Sequence, residues 1–239
     1  MNGLNSVIAG LLAILIIFGQ QPLFPVNRYG ITSANVIPVT DADDIDDITA
    51  LRTIADCYYL QVKDISTAGP YYERLLLLGQ NTPEILQPLC HYYYVTGDYE
   101  KSIEMGQRGL EGCTSDISDY PTAADIDLYM GRSYYMLNRP REALLHLNNI
   151  WNTRHTAIEY EAGAAFICVA AEYCIRSYLM LNDTRNAMMI AESLIGDPNL
   201  KPLFDSWSVS GSIPPEQEEA YRSYQYIIDF IKESTADQR

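Results

Sequence analysis

Basic residues are scarce in this chain. Lys and Arg total 16 against 31 Asp and Glu, the net charge is −15, and nowhere do the cations form a run. A surface of that sign repels phosphate backbones and anionic headgroups, so nucleic acid is excluded as a general partner. Histidine is scarcer still. His91, His146 and His155 form no HExxH, and there is no GxSxG, no P-loop and no GxGxxG following a strand. Metal-hydrolase, acyl-enzyme and nucleotide chemistry therefore have no motif to rest on, and a catalytic role is not expected. The five cysteines (Cys57, Cys90, Cys113, Cys168, Cys174) contain no CxxC, and no histidine stands at ligand spacing from them, so neither a metal nor a cofactor is expected. Their odd number excludes complete intramolecular pairing. Four lie in tyrosine- or alanine-rich stretches and read as small buried thiols, whereas Cys113 sits in a polar connector and reads as the most exposed.

What the chain does have is apolar residues, at 48%, and a clear N-terminal concentration of them. Val7–Phe18 is an uninterrupted apolar run without a preceding Lys or Arg or a clean Ala-x-Ala site after it. Residues 1–26 read as a signal peptide or an N-terminal membrane anchor, since the run fits a signal core and its extension to Val26 approaches the ~20 residues of a span. A buried helix is the remaining alternative. Residues 27–40, broken by Gly30 and Pro38, read as a linker. The acidic stretch Thr40–Asp47 lacks the central glycine and closing glutamate of a calcium loop, so Thr40 with Asp43 is expected to cap a helix instead.

From Ile45 onward apolar residues recur at helical spacing, and Pro and Gly punctuate the segments. Helices are expected over about 45–62, 68–78, 83–96, 100–110, 125–137, 140–151, 156–181 and 184–195. A last amphipathic helix is expected in 215–239, after an irregular loop at 197–214. The apolar run Ala162–Ala171 is flanked by Glu161 and Glu172 and reads as a core segment. No stretch alternates like a strand, so the fold class is all-α.

Two of these segments repeat. Arg132–Ala143 reads RSYYMLNRPREA and Arg176–Ala187 reads RSYLMLNDTRNA, 44 residues on. Set in that register, four helix–turn–helix units appear across 41–196. One has Leu86, Leu89, Cys90, Tyr93, Gly97-Asp98-Tyr99, Ser102, Gly106 and Gly109. The next has Met130-Gly131, Tyr134, Asn138, Ala143 and Leu147. Another has Cys174, Tyr178, Asn182, Ala187 and Ala191, and a degenerate first unit has Leu51, Ile54, Ala55, Tyr58, Ala68, Tyr72 and Leu75. These residues resemble the tetratricopeptide repeat (TPR). The resemblance implies a right-handed TPR-like α-α hairpin solenoid with a C-terminal capping helix. Small residues at 55, 90, 131, 143 and 187 are expected where helices approach closely, and no single hairpin can bury its own apolar face. Ala68, Ser102, Ala143 and Ala187 stand at intervals of 34, 41 and 44, so the later units carry insertions.

The resemblance further implies a concave groove lined by the first helix of each hairpin. Its positions here are Arg52, Asp56 and Tyr59; Gln87, His91 and Tyr94; Leu128, Arg132 and Tyr135; Glu172, Arg176 and Met180. Tyr59, Tyr94 and Tyr135 are equivalent, as are Arg132 and Arg176, and Tyr and Arg are enriched at binding hot spots. The alternative is that the tyrosines fill the core and the arginines neutralise neighbouring acids. Asp56 and His91 stand where the carboxylate-clamp branch of the family has Asn, so that activity is not implied. The expected function is a non-catalytic scaffold that binds a peptide or helical segment of a protein partner, exported or membrane-tethered. A cytosolic regulatory or sensory domain, or a small helical enzyme with its site at 199–215, is the alternative.

Overall fold

The computed structural model describes residues 41–114, 120–157, 163–210 and 213–236. The apolar N-terminal stretch, the linker 27–40 and the expected cap Thr40 lie outside the described residues. Every regular element among the described residues is helical.

The acidic stretch is divided between two caps. Asp41 accepts the amide of Asp43 in a 3-10 turn over Ala42–Asp44. Asp47 accepts those of Thr49 and Ala50 at the head of α1, Ile48–Asp56. α1 runs on into a π-helical turn, Cys57–Val62. Then come α2 (Ile65–Leu77), α3 (Pro83–Thr96), α4 (Tyr99–Gly112), α5 (Tyr120–Met136) and α6 (Pro140–Asn152). A one-turn α7 (Arg154–Ala157) precedes α8 (Gly163–Met180), α9 (Thr184–Ile195), α10 (Lys201–Ser210) and α11 (Glu218–Ala236).

Four of the connections are built alike. Lys63, Gly97, Asn138 and Asn182 all adopt left-handed backbone, with φ of 61°, 84°, 58° and 57°. The residue after each donates its amide to a tyrosine carbonyl in the preceding helix: Asp64 to Tyr58, Asp98 to Tyr93, Arg139 to Tyr134 and Asp183 to Tyr178, each at 2.9 Å. This closure satisfies carbonyls that a helix end would otherwise leave orphaned. Asp64, Asp98 and Asp183 then cap the next helix with their side chains, while at the Arg139 connection Pro140 starts α6 instead. The turn residues are separated by 34, 41 and 44, the intervals already visible in the sequence.

Neighbouring helices pack in order, α1 on α2, α3 on α4, α5 on α6 and α8 on α9, with α2 also on α3, α4 on α5 and α6 on α8. The first helices also meet one another, α3 against α5 and α5 against α8, and α11 lies along α8. Close approach is provided by small residues. Ala55, Cys90, Ala143 and Ala187 are fully buried. A Cβ on Gly131 would stand 2.6 Å from Leu147 Cγ, so α5 and α6 can cross at that distance only over a glycine. Tyr71, Tyr72, Leu75, Leu86, Leu89, Ile126 and Leu147 fill the space between. In α8 the expected core segment is buried from Ile167 to Ala171. It is the one helix among the described residues with the length and apolarity of a membrane span.

Several boundaries differ from the sequence expectation. α2 begins at Ile65, capped by Asp64, so Pro70 lies in its second turn rather than at its start. The segment 156–181, expected as one helix, is helical at 156–157 and 163–180, and residues 158–162 lie outside the described residues. The stretch 197–214, expected to be irregular, contains α10. Trp207 of α10 packs against Tyr221 and Tyr224 and donates to Gln217 Oε1 at 2.8 Å, which anchors α10 to α11. None of the five cysteines is in a disulfide; Cys90, Cys168 and Cys174 are buried, and Cys57 is as half-buried as Cys113. Burial pushes the Cys90 and Cys168 thiols up to about 12.

Candidate functional site

Because first helices pack side by side, residues that share one of their faces form a continuous row. At the N-terminal end of that row, Arg52 Nε donates to Asp56 Oδ2 at 2.8 Å and the Tyr72 hydroxyl donates to Asp56 Oδ1 at 2.7 Å. Gln87 Nε2 donates to the Tyr59 hydroxyl at 2.7 Å and to Asp125 Oδ2 at 3.1 Å, tying the π turn after α1 to α3 and α5 through one amide. Burial pushes the Asp125 carboxyl up to about 7, Lys63 offsetting it in part.

His91 stands next in the row. Its ring stacks on Tyr129, with centroids 4.1 Å apart, and meets the Tyr59 ring edge-on at 5.8 Å. Burial, and then the nearby Arg132 charge, push its pKa down to about 4, so the imidazole is neutral at physiological pH. Its Nδ1 is buried and has no hydrogen-bond partner.

Arg132 occupies the centre. Its side chain is 8% exposed, and its guanidinium lies over the rings of Tyr94 (4.4 Å), Tyr173 (4.9 Å) and Tyr129 (5.9 Å). Nη2 donates to Glu219 Oε1 of α11 at 2.5 Å, while Nε is buried without a partner. Burial alone would pull this pKa down; Glu219 and the tyrosine hydroxyls outweigh it, and the net shift is upward. Beyond it, the Tyr94 and Tyr173 hydroxyls are 3.5 Å apart and Tyr135 meets Tyr173 edge-on at 5.3 Å. Arg176 pairs with Glu172 at 2.7 Å and lies 4.0 Å from the Tyr226 ring centroid, and Ser223 donates to Glu172 at 2.6 Å. Residues of α11 at 219, 223 and 226 thus meet α5 and α8.

Of the twelve residues expected to line a groove, most fall on this row or at its ends. Leu128 does not: it is 4% exposed and belongs to the core. Met180 is an exposed side chain at the end of α8. Tyr59, Tyr94 and Tyr135 are linked in sequence by further rings: the expected His91 and the unexpected Tyr129 stand between the first two, and Tyr173, also not among the expected residues, between the last two. Both arginines have carboxylate partners, Glu219 and Glu172. Tyr129 and Tyr173 carried a signal, since each stands three residues before one of the repeated arginines. Asp125 and Ser223 carried none, and the role of Glu219 was invisible because its partner lies 87 residues away.

Among the described residues no cluster of three or more His, Cys, Asp or Glu is arranged to hold a metal ion. No protein-family model and no curated protein matches the chain.

Proposed function

We propose that this protein is a non-catalytic interaction scaffold. Its hairpins form a TPR-type solenoid, α11 covers the last hairpin, and the row on the first helices receives a peptide or helical segment of a protein partner. The observation that carries this reading is the row itself. It holds two unpartnered buried nitrogens, His91 Nδ1 and Arg132 Nε, within a string of aromatic rings running from Tyr59 to Tyr135. A buried polar atom without a partner is costly, by about 1–3 kcal/mol, and a segment offering acceptors or donors there recovers that cost. Rigid tyrosines lose little entropy on binding and give large contact area. The adjacent contacts of α11, through Glu219, Ser223 and Tyr226, illustrate the kind of segment that suits such a face: helical, with polar groups spaced by about one turn.

The apolar stretch at residues 1–26 gives the scaffold an exported or membrane-tethered location. The test is a photo-crosslinking amino acid placed at His91 and, separately, at Leu145 on the outer side of α6. A protein captured through position 91 and not through 145 supports the reading. Equal capture at both, or capture through 145 alone, refutes it.

A further inference from the structure

Eight large apolar side chains are left exposed among the described residues, and four of them share one place in the hairpin. They are Leu60 (41%), Val95 (48%), Met136 (48%) and Met180 (37%), each in the last turn before the left-handed residue that closes its hairpin. Val95, Met136 and Met180 precede that residue by two positions. Leu60 precedes it by three because the π turn at Cys57–Val62 holds one residue more than an α turn. With neighbouring helix axes about 8–10 Å apart, the four side chains form a stripe on the order of 25–30 Å long. Scattered exposed apolar residues need no explanation, but a stripe in register with the repeat does.

The charges along the same edge differ from those of the whole molecule. The hairpin turns carry Lys63, Lys101, Arg139, Arg141 and Arg185, five of the sixteen cations in a chain of net charge −15. Asp64, Asp98, Glu100, Glu142 and Asp183 balance them. Three of those carboxylates are turned into helix ends as caps, and Glu142 is held by Arg139. Lys63, Arg141 and Arg185 are exposed and make no ion pair among the described residues. The edge is therefore neutral, apolar along its length, and fringed by long cationic side chains able to reach outward.

We propose that this edge lies against a lipid surface, with Leu60, Val95, Met136 and Met180 entering the headgroup layer and the cations beside them meeting phosphates. Shallow insertion of apolar side chains flanked by Lys and Arg is how interfacial segments bind. It rests on the tethered reading given above. Residues 27–40 reach at most about 50 Å when fully extended, so a chain held by residues 1–26 keeps its hairpins near the bilayer.

The test uses the full chain with vesicles of phosphatidylcholine containing a minor fraction of phosphatidylglycerol. Flotation reads the tether; methionine oxidation by dilute peroxide, followed by mass spectrometry, reads the edge. Met189, 53% exposed on α9 and more than one helical turn from the edge, is the reference in the same molecule. On vesicles Met136 and Met180 should oxidise roughly fivefold more slowly than Met189. In a chain with Val95→Glu and Met136→Glu that still floats, Met180 should become as reactive as Met189. Equal reactivity of all three methionines in a floating wild-type chain overturns the edge and leaves the tether standing. Protection that persists when amphipol replaces lipid assigns the stripe to contact between copies and also overturns it. A chain that does not float overturns the tether and the edge with it.

Discussion

The two halves of the aromatic row use the same backbone position in opposite ways. His91 and Arg132 stand at corresponding places on α3 and α5, and Arg176 follows on α8. Around His91 the groups are neutral or nearly so: an uncharged imidazole, tyrosine hydroxyls, an amide, and a carboxyl pushed up to about 7. Around Arg132 and Arg176 they are charged, and each cation has a carboxylate and at least one aromatic face. The difference follows from what α11 can reach. Glu219 brings a carboxylate to α5, and a buried cation is tolerable there. Beside His91 on α3 the neighbouring carboxyl, Asp125, is itself pushed toward its neutral form by burial, and a histidine held neutral is what fits.

Moving the charge to α3 is expected to have the largest effect. His91→Arg would bury a second guanidinium close to Arg132 without a carboxylate of its own, and an uncompensated buried charge costs about 3–5 kcal/mol. Chemical denaturation should show a loss of that order; a loss no larger than that of a surface substitution would mean the α3 position accepts charge and the contrast is false. Glu219→Gln should cost less, about 1.5–3 kcal/mol, since the amide oxygen can still accept from the guanidinium but no longer carries the opposing charge, while α11 keeps its apolar contacts. Its melting temperature should fall, and His91→Gln as a control should fall less.

The finest test is pH. The His91 pKa is lower in the folded protein than the ordinary 6.5, so its contribution is intact above 6.5 and is lost as pH falls toward about 4. The Asp125 pKa is higher than the ordinary 3.8, so its contribution is intact below 3.8 and is lost as pH rises toward about 7. Between about 4 and 6.5 the two therefore oppose each other. Asp125→Asn should leave a stability that rises with pH across that window, and His91→Gln one that falls. Parallel slopes in the two variants would show that the groups do not titrate as their surroundings imply.

The hairpins were legible in the sequence because their ends are fixed by chemistry that is local. Pro83, Gly97, Asn138, Pro140 and Asn182 each perform at a turn the task their residue type suggests. The start of α1 was less legible, since several aspartates in a row offer equivalent caps and the choice of Asp47 depends on what α1 then buries. α10 was hidden by its surroundings of Pro, Gly and Ser, and its helix is held by Trp207 against α11 rather than by its own pattern. Of the site, the family resemblance pointed to Arg132 and His91, but the same mapping assigned Leu128 to a surface it does not share. The partners of Arg132 could not be read at all. Tyr94, Tyr173 and Glu219 come from three separate helices, and only packing brings them around one guanidinium.

The extra residue in the π turn at Cys57–Val62 has a bearing on any attempt to rebuild the molecule from its own parts. Each residue of an α-helix turns the chain by about 100°, so a helix one residue out of step presents a different side. The wider turn absorbs that residue before Lys63, and Tyr59 and Leu60 regain the phase of Tyr94 and Val95. A chimera that replaces the first hairpin with a copy of the second should keep its alignment, because both segments reach the next turn in phase. A one-residue deletion inside Cys57–Val62 has no such compensation. It either converts the turn to plain α-helix or swings Tyr59 away from Gln87 and His91, and it makes this short stretch the phase adjuster of the whole row.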